Sequence, residues 1–410
     1  AMRRVGIAGV QLFEVGTGIP KGRVDFDSPE HRHLLHFAIS EASRLGLEFT
    51  MHNAPGYSSS GGPWITPELS MKMLTFTETA VAGGRAVDLP LPQPTTLVGF
   101  YRDIHVLAFP SSGGNVRLAN WRKKAGYSEV KNRPAEPAAG PDTPAIDPVK
   151  VIDLTGAMDA QGRLKWDAPA GEWTVLRLGY TSTGVENFPA PDGGTGLECD
   201  KFSRDAFEFH FRHYFGDLLE DLRPLAARGL AGVHIDSYER GLQNWTAAFP
   251  GEFRQRRGYD LTGWLPAMTG RIVGNLEQTE RFLWDVRKTQ AELMAENYYG
   301  RFAELCHEYG LKAYAEPYGK GNFDPMTVGA RLDVPMGEFW QDRPFITTIK
   351  TVASIAHVNG KPLVAGESFT SESRWTDYPY SFKSIGDYVF THGLNRYVFH
   401  TSPTQSHPTA

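Results

Sequence analysis

Residues 232–245 read GVHIDSYERGLQNW, a stretch that begins as a buried strand and ends as something else. Val233 and Ile235 are apolar and β-branched, as a sheet interior requires. Asp236, Glu239, a phenol, two amides and the indole of Trp245 follow at once. A core strand that runs out into acids and aromatic rings fits a parallel sheet whose strand ends carry chemistry.

The same grammar of short apolar strand, polar tail and amphipathic helix recurs along the chain. GIAGVQLFEV leads to SPEHRHLLHFAISEASRLG, where Ser28 is a cap, Pro29 occupies the first turn and Glu30 faces the helix dipole. LEFTMHN is followed by a Gly/Ser loop and by TPELSMKMLTFTETAV, whose Thr-Pro-Glu start predicts a second helix. Further helices are predicted to feed GVHIDSYE, LKAYAEPYG, VPMGEFW, VAGESF and finally RYVFH. So many βα units in series, with no Gly-x-Gly-x-x-Gly after any strand, predict a (β/α)8 TIM-like barrel rather than an open doubly wound sheet. Residues 84–180 break the pattern, since their alternating apolar and polar residues predict hairpins of an inserted all-β sandwich-like domain. The expected division is therefore 1–83 barrel, 84–180 insert and 181–410 barrel. The opening AMRRVGI reads as the last turn of a helix entering a strand. The barrel is expected to be incomplete at the N-terminus and the chain to be a fragment of a longer one.

A chain of 410 residues with 41% hydrophobic and 12% aromatic content can bury a large core. A net charge of −5 gives no footprint for nucleic acid or an anionic membrane. Cys199 and Cys306 are two thiols, which excludes a disulfide scaffold or a thiolate cluster.

At the predicted strand ends stand His52 and Asn53, Asp236 and Glu239, Glu316, Glu338, Glu367 and His400. Five carboxylates on one rim repel unless they share protons, bind a cation or face a polar substrate. Paired acids with Trp and Tyr around them are what glycoside hydrolysis uses. Each residue also has a plainer use: Asp236 could hold a turn, and Glu316 and Glu338 could be ion-paired. The glycines and hydroxyls before Trp64 lack the Lys-Ser/Thr of a P-loop and read as a tight turn lining a cleft.

The segments GVQLFEV, MHNAPGYSSSGGPWITPELSM, GGTGLECDKFS, HIDSYERGLQNWTAAFPGEFRQRRGYDL and VAGESFTS together resemble glycoside hydrolase family 106, the α-L-rhamnosidases and their relatives. The resemblance implies a catalytic barrel, an inverting mechanism, a bound calcium ion, a plant-type glycan or glycoside as substrate, and a secreted or periplasmic parent protein. By motif it makes Glu239 the general acid and Glu367 the general base. Glu338 is the expected calcium-linked acid, and calcium independently suits a rim rich in oxygen ligands. His52, Asn53, Asp200, Lys201 and Asp236 are expected to line the sugar subsite, with Trp64, Asn244, Trp245, Glu316, Trp375 and His400 as further contacts. In this reading DSYERGLQNW is the rim of a sugar cleft, with an acid, amides for hydroxyls and an indole for a sugar face. Two rivals stand beside it: a glycosidase or lyase for a uronate or galactose derivative, using Arg240 or Arg374, and a carbohydrate-binding barrel without chemistry.

Overall fold

The computed structural model describes all residues except 17, 19–20, 59, 112–115, 129–137, 141, 227–228, 344–345, 373–375 and 403–410. The chain divides into two compact units, one formed by 1–66, 185–241 and 293–410, the other by 67–184 and 242–292.

In the first unit seven parallel strands form one sheet in the order Gly9–Leu12, Glu48–His52, Leu230–Ile235, Lys312–Ala315, Val334–Trp340, Ala365–Thr370 and Arg396–Phe399. Sequence order equals spatial order, as right-handed βα crossovers demand. The sheet curls into a nearly closed barrel, and Arg396 at the start of the last strand reaches Glu48 at the start of the second at 2.7 Å. Seven strands, rather than the eight of a complete (β/α)8 ring, are present among the described residues.

Side chains alternate across each strand, so register fixes which residues share a face. Tyr314 lies opposite Val334, Met336 opposite Ala365, and Glu338 opposite Glu367. Tyr314, Val334, Met336 and Ala365 form an apolar layer on the inner face, with Leu363 and Val398 packed on it. On the outer face Phe339, Val364, Tyr397 and Leu394 pack against the helices Ile346–Val358 and Pro379–Thr391. Gly337 allows that approach, since a Cβ there would stand 3.1 Å from the backbone of Thr348.

The second unit holds the antiparallel strands. Lys72–Ala82, Glu172–Ser182, Tyr101–Pro110 and Ile152–Asp153 make one sheet, while Arg85–Pro90 and Arg163–Ala168 make another. Val81, Val87, Val106, Leu164 and Trp173 from both sheets share one core, as in a sandwich. One expectation is corrected here. TPELSMKMLTFTETAV is not a helix: Lys72–Ala82 pairs residue for residue with Glu172–Ser182. Lys72 is tolerated in this buried strand because its Nζ donates to the carbonyls of Pro67 at 3.0 Å and Glu68 at 2.8 Å. The second unit spans 67–184 and 242–292, and so holds the helix Leu276–Leu293 except for Leu293 itself.

Candidate active site

Carried two residues beyond the apolar layer, the same inner-face parity places Glu316, Glu338, Glu367 and His400 next in line. On the second and third strands it places His52 opposite His234, with Asp236 two residues further on. Carboxylate oxygens of Asp236, Glu316 and Glu367 come within 4.8 Å of one another. Glu338 is Glu367's register partner on the neighbouring strand, and His400 Nδ1 is 3.8 Å from Glu367 Oε1.

Four acids collected in a poorly solvated space cannot all be ionised without compensation. Burial, then the charges of Asp236 and Glu367, hold the Glu316 carboxyl well above the usual range. Burial pushes Glu367 up to about 7, with Asp236 and Glu239 adding to it. Glu338 is likewise raised to about 7, by burial first and by Glu367 and Asp236 next. Asp236 goes the other way: burial opposes its charge, but the His234 ring, with Nε2 3.4 Å from Oδ1, and then His52 hold it below the usual range. The cluster therefore depresses one carboxyl, Asp236, and raises three, Glu316, Glu338 and Glu367.

Two devices aim these acids. Thr348 Oγ1 donates to Glu338 O at 2.7 Å and pins that backbone. Just past Glu367 the register slips by one residue: Phe339 pairs with Ser368 but Trp340 pairs with Thr370. The bulged residue, Phe369, takes φ 62°, a conformation that bulky residues rarely adopt. In an unbroken strand Phe369 would share Glu367's face. The bulge turns it outward onto Phe339 and Phe382 instead, and brings Thr370 inward, where its Oγ1 donates to Glu367 Oε1 at 2.6 Å. Glu239 stands exposed beyond the strand end and accepts from Ser237 Oγ at 3.0 Å.

Other expected contacts have different employment. Lys201 is fully buried and pairs with the equally buried Glu198 at 2.7 Å, so its ammonium faces a protein carboxylate rather than solvent. Asp200 accepts from Phe202 N at 3.0 Å in the turn before the helix Arg204–Ala226. Trp64 stacks on His210 and Tyr214, and its Nε1 donates to His210 Nδ1 at 3.2 Å, so the ring serves that helix rather than an open sugar face. Asn244 and Trp245 belong to the second unit. Asn244 accepts from Leu74 N at 2.8 Å and donates to Ala125 O at 3.1 Å, while Trp245 is 1% exposed against Phe249. A fully buried indole offers no face to a sugar, so the rim reading of LQNW is corrected. Asn53 is buried, with Nδ2 donating to Ser60 Oγ. His52 is buried too, stacked on Phe13, and receives the Asp236 N–H on Nε2 at 3.4 Å. Both stand behind the acids and hold their strand ends in place. Trp375 and Arg374 lie outside the described residues.

His234, Tyr57, Tyr318 and Thr370 are additions to the expected set. His234 was open to discovery, being two residues before Asp236 on one strand. Tyr57 and Tyr318 are raised above the ordinary phenol range by burial first and by neighbouring acids next.

His210 carries a pH prediction. Its Nε2 donates to Asn53 O at 2.9 Å while Nδ1 accepts from Trp64, so the neutral ring is satisfied and a second proton has no acceptor. Burial drives it down to about 3. The unfolded chain takes up this proton near pH 6.5 and the native chain does not. The stabilisation is therefore whole above pH 6.5 and is lost as pH falls toward about 3, amounting to ~2 kcal/mol by pH 5. Urea midpoints of wild type and His210→Gln should converge between pH 7 and 5; parallel curves would remove His210 from the acid response.

The family model described as alpha-L-rhamnosidase, glycoside hydrolase 106, matches residues 1–114 and 110–409. A protein of Formosa agariphila named "putative beta-glucuronidase" is 45% identical over 403 residues, which is 98% of this chain and 35% of that protein. The solved structure of a rhamnosidase from Novosphingobium sp. PP1Y superposes with a TM-score of 0.84 at 30% identity, covering 98% of this chain and 53% of that one. The chain thus spans about a third of the first relative and about half of the second. No helix among the described residues is long and apolar enough to cross a membrane. With the family model matched from end to end, the chain belongs to glycoside hydrolase family 106, the α-L-rhamnosidase family.

Proposed function

We propose that the chain is the catalytic part of an inverting α-L-rhamnosidase that removes terminal rhamnose from plant-type glycans or glycosides. The seven strands are read as part of a (β/α)8 barrel, whose sites lie at the C-terminal strand ends. The observation that carries the reading is Glu367, set among three other acids with a carboxyl near neutrality and one oxygen fixed by Thr370. A base poised near pH 7 is suited to taking a proton from water. That water forms the new bond to the anomeric carbon as the glycosidic C–O bond breaks, and Glu239 gives its proton to the departing oxygen. An acidic floor also argues for a neutral sugar. Rhamnose carries a methyl group where a uronate carries a carboxylate, and a carboxylate over Asp236, Glu316, Glu338 and Glu367 would meet like charge.

Aryl α-L-rhamnoside and aryl β-D-glucuronide, assayed side by side with NMR of the sugar released, test this reading. Release of β-configured rhamnose is expected; cleavage of the glucuronide alone would move the substrate to the sugar named for the Formosa relative. Location outside the cytoplasmic membrane is part of the proposal, since polymeric glycans do not cross membranes intact.

Asp236, Glu316 and Glu367 fit a calcium ion. Their donors are all oxygen, and the buried Glu316 Oε1 has no hydrogen-bond partner. Glu338, the acid first expected to hold the ion, stands outside this trio. When bound, calcium would neutralise part of the floor and offer ligand positions to sugar hydroxyls. Excess chelator should lower kcat/KM at least about tenfold, with recovery on adding calcium, and calcium should raise Tm. Full activity in chelator would remove the ion from the scheme.

Glu239→Gln should slow alkyl rhamnosides about 10²–10⁴-fold, since their leaving groups need the proton, and spare dinitrophenyl rhamnoside, whose leaving group does not. Equal losses on both substrates would reassign the acid.

A further inference from the structure

Arg240 follows Glu239 directly, and at this residue the rim of the site changes sign. Its Nε donates to Glu186 O at 2.7 Å, and its Cζ lies 5.6 Å from the centre of the Phe188 ring. These contacts fix the plane of the guanidinium while using one of its five N–H donors. No carboxylate among the described residues is ion-paired with it. Arg240 is nevertheless set among acids, for the half-buried Tyr57 phenol feels the charges of Glu239, Asp236, Glu367 and Arg240 together.

The platform beneath the guanidinium is built rather than incidental. Phe188 N donates to Ser58 Oγ at 2.8 Å, and Phe188 O accepts from the backbone N–H groups of Tyr57 and Ser58 at 3.2 and 3.1 Å. Gly56, at φ 89°, lets the two segments meet, since a Cβ there would stand 2.9 Å from the Phe188 carbonyl. The Phe188 ring itself stays 54% exposed. An open aromatic face carrying an oriented cation with free donors suits a sugar that bears an anion.

On the rhamnosidase reading above, the acidic floor takes the neutral rhamnose, and Glu239 faces the oxygen that leaves. The residue after Glu239 is then placed to meet the leaving group. We propose that Arg240, braced on Phe188, selects substrates in which rhamnose is attached to an anionic sugar, one bearing a carboxylate or a sulfate ester.

The test compares kcat/KM of the full chain on rhamnosyl-glucuronate, on its neutral methyl ester and on the corresponding rhamnosyl-glucose 6-sulfate. Para-nitrophenyl α-L-rhamnoside is assayed beside them. The wild type should prefer an anionic disaccharide to the ester by about tenfold. The ratio should fall toward one in Arg240→Gln and to an intermediate value in Arg240→Lys, which keeps charge without the planar fork. Should the glutamine variant misfold, the wild type still answers, because its preference should shrink as salt is raised from 0.05 to 0.5 M. Preference for the uronate identifies a carboxylate, and preference for the sulfated sugar identifies a sulfate; both uphold the proposal. Equal rates on acid and ester, with the aryl rhamnoside cleaved, overturn it alone. No cleavage of any rhamnoside overturns the rhamnosidase reading and this proposal with it.

Discussion

Replacing Glu367 by Gln should lower kcat about 10³-fold on every rhamnoside, whatever its leaving group, and in calcium-free buffer leave the fold at least as stable as before. Glutamine keeps the shape and an oxygen for Thr370 Oγ1, which in the wild type donates to Oε1 at 2.6 Å. What it lacks is the capacity to accept a proton from water, a step worth about 10²–10⁴-fold. Stability moves the other way for an electrostatic reason. Glu367 lies with Asp236 and Glu316 in one cluster and is pushed up to about 7 by burial and then by Asp236, so a neutral amide relieves repulsion. A drop in activity with unchanged or higher Tm is the signature of a strained functional acid. A structural acid would give loss of both. Retention of kcat within about tenfold would exclude Glu367 as the base. The leaving-group profile separates it from Glu239, whose loss is expected only where the departing oxygen needs a proton.

The acids at the strand ends were legible because their signal is one-dimensional. An apolar run ending in a carboxylate, repeated in HIDSYE, AYAEPYG, VPMGEFW and VAGESF, states both the strand and where it stops. Period-two parity then brings Glu316, Glu338 and Glu367 to one face. The same parity contains His234, which went unnoticed because histidine in a strand reads as core. Thr370 could not be found this way: only the bulge at Phe369 turns it toward Glu367, and a residue at i+3 otherwise faces away. The errors share one cause. Lys201, Asn244 and Trp245 look available for ligands in sequence, and the fold uses each in its own interior. Whether a polar group meets a carbonyl, a buried acid or solvent depends on segments far away in the chain. Glu198 and Ser60, 138 residues apart, meet through a 3.0 Å hydrogen bond that no local pattern announces.

Lys201 makes that last point measurable. Its side chain and that of Glu198 are both 0% exposed, with Nζ 2.7 Å from Glu198 Oε2 and 3.0 Å from Cys199 O. The same Glu198 oxygen accepts from Ser60 N, whose hydroxyl in turn bonds Tyr298 OH at 2.6 Å. The rings of Tyr298 and Tyr238 flank the ammonium at 5.7 and 5.9 Å. Lys201→Met fits the same volume but leaves a carboxylate buried without its cation. Breaking a buried pair from one side costs about 3–5 kcal/mol. Glu198→Gln with Lys201→Met removes both charges while retaining an acceptor for Ser60, so it should recover most of that loss. Urea unfolding of the four proteins gives a double-mutant cycle, with a coupling of at least ~2 kcal/mol expected. If Lys201 contacted a sugar instead, its single variant would unfold like the wild type and raise KM, and the cycle would close near zero. The ion pair makes the opposite demand: the variant's deficit lies in stability and is repaired by a second substitution at a residue equally shut off from any substrate.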